Sequence, residues 1–314
     1  YTSMGFSAEY LDLLSRNQRF EDHFSNSHQT LVYKGCTNGT LGPNVNYSLW
    51  EDNLTIFGTG NTSDYFENES PLMFRNIGTV KILENVTSIG AYLFQNVNIK
   101  NLIIASTVND IDTNAFKNCT IANISISGTN RQFSADDSGL FRGSYIYSYD
   151  HWYFQKQKLI KYPNGFTSTT YEISDEIQEI ADYAFENCQN LHQITIGSSV
   201  TTIGVHSFAN CNNLKAFTGK SQNFFADTNG ILYFKDSYFW SLFKYPPARD
   251  SPTITISSFI NGKERNIRKI ADYAFENCQN LQTITIGSKV TTIGEHSFAH
   301  CNNLTNFICN NNQN

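Results

Sequence analysis

The twelve residues from Ile180 to Leu191 recur unchanged at Ile270 to Leu281, and across 180–214 against 270–304 only five of 35 positions differ. Each long copy contains a shorter period. Ile180, Phe185, Cys188 and Leu191 return 23 residues later as Ile203, Phe208, Cys211 and Leu214, and Ile270, Phe275, Cys278 and Leu281 return as Ile293, Phe298, Cys301 and Leu304. A weaker pair, Val86–Phe94 and Val108–Phe116, is offset by 22, with Val97 where Cys119 stands one unit on. A period of 20–50 residues marks a solenoid or a propeller. One unit carries about five large apolar side chains, each contributing roughly 1.5–3 kcal/mol on burial. Ordering its backbone costs about 1–2 kcal/mol per residue. A lone unit therefore cannot fold, and neighbours above and below must cover its apolar ladder.

Each unit has a local reading. Leu191-His192-Gln193-Ile194-Thr195-Ile196 alternates apolar and polar residues, predicting a strand with Ile194 and Ile196 facing inward. Val200-Thr201-Thr202-Ile203-Gly204 predicts a second short extended piece closed by glycine. Ala184-Phe185-Glu186-Asn187-Cys188 fits one helical turn, with Phe and Cys three apart on one face. Two longer segments, 128–176 and 219–266, interrupt the array and match each other. Gly128, Phe133, Ala135, Asp136 and Gly139 align with Gly219, Phe224, Ala226, Asp227 and Gly230, and Tyr162-Pro163 with Tyr245-Pro246. Asn229-Gly230 before Ile231-Leu232-Tyr233-Phe234 is a hairpin signal, with Ser241 to Tyr245 as the return strand. Tyr145, Tyr147, Tyr149, Trp152, Tyr153 and Phe154 in one segment, and Tyr238, Phe239 and Trp240 in the other, lie at these hairpins.

The pattern Ile-x-x-x-Ala-Phe-x-x-Cys-x-x-Leu-x-x-Ile-x-Ile followed by Val-Thr-x-Ile-Gly resembles the BspA-like leucine-rich repeats of the Treponema pallidum type. These occur in surface proteins of mucosal bacteria and are expanded in trichomonad parasites. Phe-x-Ala-Asp-x-x-Gly with a later Tyr-Pro is similar to that family's irregular double turns. Leu54-Thr55-Ile56-Phe57-Gly58 after Trp50 resembles its N-terminal cap. The likeness covers roughly 31–309 and implies a right-handed α/β leucine-rich-repeat solenoid with short strands and short helical turns. The expected organisation is a helical extension at 1–30, a β-rich cap at 31–85, the solenoid at 86–309 and a tail at 310–314. The family's usual role, adhesion to host extracellular matrix or to other cells, implies a protein or glycan ligand and no single named one.

Chemistry-bearing motifs read as structure. Cys119, Cys188, Cys211, Cys278 and Cys301 share one repeat position, and one thiol per turn is not a tetrahedral metal set. Buried small hydrophobes, a structural ladder with Phe185, Phe208, Phe275 and Phe298, are expected instead. His296 and His300 are four apart, but the sister turn holds His206 and Asn210, so surface histidines are expected. Asp136-Asp137-Ser138-Gly139 and Asp227-Thr228-Asn229-Gly230 lack the remaining ligands of a calcium loop and read as turns. Gly58-Thr59-Gly60 lacks the Lys-Ser/Thr of a phosphate loop. No Gly-x-Ser-x-Gly elbow or constrained carboxylate pair appears, so neither enzyme chemistry nor a cofactor is expected. Nine Asn-x-Ser/Thr sequons occur among 37 Asn, and those at Asn38, Asn46, Asn53, Asn61, Asn68 and Asn85 crowd into the cap as glycosylation candidates.

Lys+Arg 22 against Asp+Glu 28 leaves a net charge of −6 without a cationic cluster, which argues against nucleic acid as a partner. No run approaches the ~18 apolar residues of a membrane span, and the start, Tyr1-Thr2-Ser3-Met4-Gly5, shows no signal peptide. Targeting and anchoring segments of a surface or secreted protein are thus expected outside this chain. On the solenoid strand the outward positions are Gln193 and Thr195, with equivalents Asn101 and Ile103, Asn123 and Ser125, Ala216 and Thr218, Thr283 and Thr285, and Asn306 and Ile308. They form an uncharged hydroxyl and amide platform, with Trp152, Tyr153, Tyr238 and Trp240 as candidate aromatic anchors. The expected function is non-enzymatic adhesion. An intracellular scaffold and a hydrolase site hidden in an insert are the alternatives.

Overall fold

The alternation at Ile194-Thr195-Ile196 does build a strand, and its repeats stack. In the computed structural model, which describes residues 36–148 and 150–309, the chain winds into a leucine-rich-repeat β-solenoid of about eleven turns. The expected extension at 1–30 lies outside the described residues. One wall consists of the strands Asn53–Gly58, Asn76–Ile82, Asn98–Ala105 and Thr120–Ser127, then Thr170–Glu172, Gln193–Ile196 and Ala216–Gly219, then Thr253–Ile256, Thr283–Ile286 and Asn306–Cys309. Pairing within each set is parallel and keeps the repeat register, Ile194 against Phe217 and Ile284 against Phe307. The antiparallel strands Cys36–Thr40 and Val45–Trp50 extend the first set at its N-terminal edge.

A second wall is made of shorter strands, among them Val86–Ile89, Glu179–Ile180, Thr202–Ile203, Ile267–Ile270 and Thr292–Ile293. The two irregular segments enter this wall as antiparallel meanders: Phe133–Asp136, Gly139–Ser148 and His151–Lys161, then Phe224–Ala226, Leu232–Lys235 and Trp240–Lys244. The Asn229-Gly230 turn closes the first hairpin of its meander, Ala226 opposite Leu232, with Gly230 at φ +77° where only glycine fits comfortably. Each meander interrupts both walls. In the first wall the gap is bridged by the Tyr-Pro segments, through Gly165 N–H to Ile121 O (3.3 Å) and Ala248 N–H to Leu214 O (2.9 Å).

The third side of each coil corrects the expectation of a short helical turn. No helix forms at 184–188. Tyr183 (φ +57°) and Asn187 (φ +64°) adopt the left-handed region, four residues apart, and His206 and Asn210, Tyr273 and Asn277, and His296 and His300 repeat this. A helix would send every N–H to the carbonyl four residues back. Here alternate N–H groups close three-residue turns, Glu186 to Tyr183 O (3.2 Å) and Cys188 to Phe185 O (3.1 Å). The others cross to the next coil, Tyr183 to Val205 O (3.2 Å), Phe185 to Ser207 O (2.8 Å) and Asn187 to Ala209 O (3.0 Å). The corner is a third hydrogen-bonded ladder, and inter-coil bonding outweighs local helical bonding there.

The apolar spine lines up coil above coil. Phe185 and Phe208 stack at 5.5 Å, Phe275 and Phe298 at 5.1 Å, and Phe94 and Phe116 at 5.7 Å. Tyr162 and Tyr245 take the Phe position in the irregular coils, 5.5 Å from Phe185 and 5.0 Å from Phe275. Ile194, Ile196, Ile284 and Ile286 are buried beneath the first wall, as their alternation requires.

Candidate ligand-binding surfaces

The first wall presents the expected polar residues. Gln193, Thr195, Thr218, Thr283, Thr285 and Asn101 are half-buried, and Asn123, Ser125 and Asn306 are exposed. Adjacent coils place like groups side by side, so their side chains bond one another along the solenoid. Thr195 Oγ1 lies 2.8 Å from Thr218 Oγ1, Asn123 Nδ2 donates to Asn101 Oδ1 (3.0 Å), and Asn306 Nδ2 donates to Thr283 Oγ1 (3.3 Å). A hydroxyl offers one donor and two acceptor sites, so each keeps capacity for a ligand after these bonds.

The aromatic candidates lie elsewhere. Trp152 and Tyr153 belong to the hairpin of the second wall, whose neighbour Glu179–Ile180 pairs only with Lys158 and Leu159. Over Ser144 to Ser148 and His151 to Gln155 the hairpin's two strands pair only with each other. Cross-strand pairs Tyr145–Phe154 (5.3 Å) and Tyr147–Trp152 (5.4 Å) share one face, and Trp152 is 66% exposed. Tyr238, 87% exposed, caps the shorter hairpin, whereas Trp240 is half-buried beneath the Arg265 guanidinium (4.9 Å). Platform and aromatics therefore occupy different sheets and are two surfaces.

The cysteine ladder is structural. Cys119, Cys188, Cys211 and Cys278 are buried and unbridged, and Cys211 Sγ donates to Phe185 O (3.0 Å). Burial pushes the Cys119 thiol up to about 12, so it stays protonated. Asp136 and Asp227 serve as turn residues, Asp136 Oδ1 accepting from Ser138 N–H and Asp227 Oδ1 from Asn229 and Ile231 N–H. His296 stacks on Tyr273 (5.2 Å) and His300 is exposed. Among the described residues no group of three His, Cys, Asp or Glu is placed to hold a metal ion, and no helix is long and apolar enough to cross a membrane. Asn53, Asn61, Asn68 and Asn85 are exposed, and Asn46 is half-buried in its strand.

Two features escaped the sequence reading. Lys161 and Lys244, each preceding the Tyr-Pro of an irregular coil, are buried, their Nζ atoms donating to Tyr183 O (3.0 Å) and Tyr273 O (2.8 Å). They satisfy the carbonyls of the left-handed corner residues. Lys244 Nζ also lies 3.8 Å from Glu276 Oε2. The second feature is a column of rings along the corners: Lys117 lies over Tyr92 and Tyr183, Tyr183 stacks on His206 (5.3 Å), His206 meets Tyr273 (4.1 Å), and Tyr273 stacks on His296.

The model of the BspA type leucine-rich repeat region matches this chain in six copies, over residues 66–150, 162–235 and 254–314. The chain belongs to the BspA-type leucine-rich-repeat family. Among solved structures it is similar to a leucine-rich cell surface protein of Faecalibacterium prausnitzii, at 21% identity over 90% of this chain and 77% of that one, with a TM-score of 0.43. It is similar also to the pneumococcal vaccine antigen PcpA (12% identity, 87% of each chain, TM-score 0.41). The T. pallidum leucine-rich-repeat protein matches at 12% identity over 88% of this chain and 91% of that one, with a TM-score of 0.26. A search of curated proteins returned no match. In this BspA-type chain the stacked turns are the scaffold, and the faces described above lie on its surface.

Proposed function

We propose that this BspA-type chain is a non-enzymatic recognition module of the cell surface or of a secreted protein, which binds an extended protein partner along its first wall. The observation that carries this reading is the outward row of hydroxyl and amide groups, Gln193, Thr195 and Thr218 in one set of strands and Thr283, Thr285 and Asn306 in the next. A flat face of repeated donors and acceptors, with the carboxylate of Glu172 beside Thr195, suits an extended backbone, whose own groups repeat at strand spacing. The hairpin aromatics supply further contacts, led by the exposed rings of Trp152 and Tyr238. Adhesion to matrix or to other cells is the role that family membership favours.

The decisive experiment replaces Thr195, Thr283 and Thr285 with Arg together and measures binding to immobilised extracellular-matrix proteins and host-cell surfaces. Binding is lost while the unfolding temperature is retained. Unchanged binding removes the first wall as the recognition surface. Cys119, Cys188, Cys211, Cys278, Cys301 and Cys309 are free, which is the one observation favouring an intracellular scaffold instead. A signal peptide encoded upstream of Tyr1 would decide against that alternative.

A further inference from the structure

The second irregular coil opens a cavity of about 400 Å³ between the strand and corner at 203–209, the hairpin at 234–244 and the next coil at 269–276. Ligand sites run to roughly 300–1,000 Å³. Buried Lys244 and half-buried Glu276 line it, with Asp236 from the hairpin turn. Glu276 Oε2 has no hydrogen-bond donor, its nearest cation being Lys244 Nζ at 3.8 Å. An ammonium carries three donors, of which one is given to Tyr273 O. The first irregular coil supplies an internal comparison. There the corresponding carboxylate, Glu186 Oε2, accepts from Asn118 N–H, joining its corner to the preceding one. In the second coil that closure is absent at Oε2, and His206 packs on Tyr273 beside the opening. Phe239 and Phe243 supply further aromatic wall.

We infer that this cavity is a binding site for a single neutral pyranose residue. The lining decides the chemistry. Lys244 and Lys269 face Glu276, Asp236 and Asp272, so the charges nearly cancel and neither a strong anion nor a strong cation is favoured. A wholly apolar ligand would leave Glu276 and Asp236 desolvated and unpaired, which is costly. A pyranose offers hydroxyls that both donate to a carboxylate and accept from an ammonium, and a C–H face to lay on aromatic rings. The site is separate from the first wall and does not depend on the protein-binding role proposed for it.

The test uses the full chain with methyl α-D-mannopyranoside, methyl β-D-galactopyranoside and methyl N-acetyl-β-D-glucosaminide, followed by saturation-transfer NMR and calorimetry. At least one binds in the millimolar range. Phe239→Ala, at the half-buried hairpin tip, and Glu276→Gln, which keeps side-chain shape, each weaken it at least about tenfold while the unfolding temperature shows the fold retained. The Thr195, Thr283 and Thr285 to Arg variant binds sugar like the unmodified chain, so failure of one surface is distinguishable from failure of the other. A disaccharide ending in the preferred sugar separates the sources: equal or tighter binding marks a glycan chain end, and loss marks the free monosaccharide, both upholding the site. No binding of any of the three glycosides, or binding unchanged in both cavity variants, overturns the proposal.

Discussion

Replacing Lys244 with Met tests whether the buried lysines hold the irregular coils together. The Lys244 side chain is 8% exposed and that of Glu276 14%. Deleting the ammonium strands a buried carboxylate, a change that costs about 3–5 kcal/mol. It also removes one of the two donors to Tyr273 O, which keeps the Glu276 N–H (3.2 Å), so this loss adds at most about 1 kcal/mol. The two losses share one group and overlap, so we expect about 4 kcal/mol. The double variant Lys244→Met, Glu276→Leu removes both charges, and replacing a buried pair by apolar groups of similar size is often neutral. It should therefore recover at least about 2 kcal/mol over Lys244→Met alone. Lys161→Met is the control: Glu186 keeps the Asn118 N–H, so that loss is smaller. Urea denaturation followed by circular dichroism measures these three and the single variant Glu276→Leu. A cost below about 1 kcal/mol for Lys244→Met, or a double variant equal to the sum of the singles, would refute the reasoning.

The remaining expectations concern the spine, the corner column and the thiols. Phe185→Ala, at a fully buried ring stacked between Tyr162 and Phe208, costs about 3–5 kcal/mol, and Phe298→Ala, at a half-buried ring, costs clearly less by the same denaturation assay. Burial between Tyr183 and Tyr273 holds the His206 imidazole below its usual range, helped by the Lys117 and Lys244 cations and opposed by Glu276 and Asp182. The unfolded chain then takes up the proton first, so stability falls as pH drops below ~6.5 through the folded value. Over roughly pH 5–8, His206→Asn, the residue type found at the equivalent Asn114, should flatten this slope in melting experiments. An unaltered slope would show that another group sets it. With a thiol-reactive reagent at neutral pH, Cys309 labels in the native protein, whereas Cys119, Cys188, Cys211 and Cys278 label only after unfolding. Native labelling of any of these four contradicts the closed spine.

Much of the fold was legible because stacking makes the sequence repeat where the structure repeats. The strand at Ile194-Thr195-Ile196, the Phe ladder and the hairpin after Asn229-Gly230 follow from alternation, period and turn chemistry. The corner was misread because Phe185 and Cys188 have helical spacing, and spacing alone does not show where the N–H groups go. A usable signal was present: Asn96, Asn118, Asn187, Asn210 and Asn277 share one repeat position, and Asn is the commonest non-glycine residue in the left-handed region. Tyr183 and Tyr273 adopt the same conformation without any compositional hint. The buried lysines were hidden by the general rule that lysine stays in water. Only the recurrence of Lys-Tyr-Pro at 161–163 and 244–246 marked them. The separation of platform from aromatics was invisible too, because both meanders lie between strands of the first wall in sequence yet pair into the second.

Regular coils and irregular coils do different work on such a surface. Where one regular coil follows another, equivalent residues meet, Thr195 beside Thr218 and Phe185 on Phe208, and a ladder of like groups makes a flat face with little concavity. Concavity needs unlike residues to meet. That happens where a meander interrupts the stack, between the coil at 203–209 and the coil at 269–276. At such a seam the inserted strands replace part of the ladder with side chains that have no counterpart, Phe239 and Asp236 among them. On the two proposals made above, extended recognition belongs to the regular panels and small-ligand recognition to the seams. Shortening the second meander by joining Ser221 directly to Ser241 would erase the cavity's hairpin wall. The panel at Thr195 would keep its hydroxyl row, because its strand is paired on both sides by Thr170–Glu172 and Ala216–Gly219.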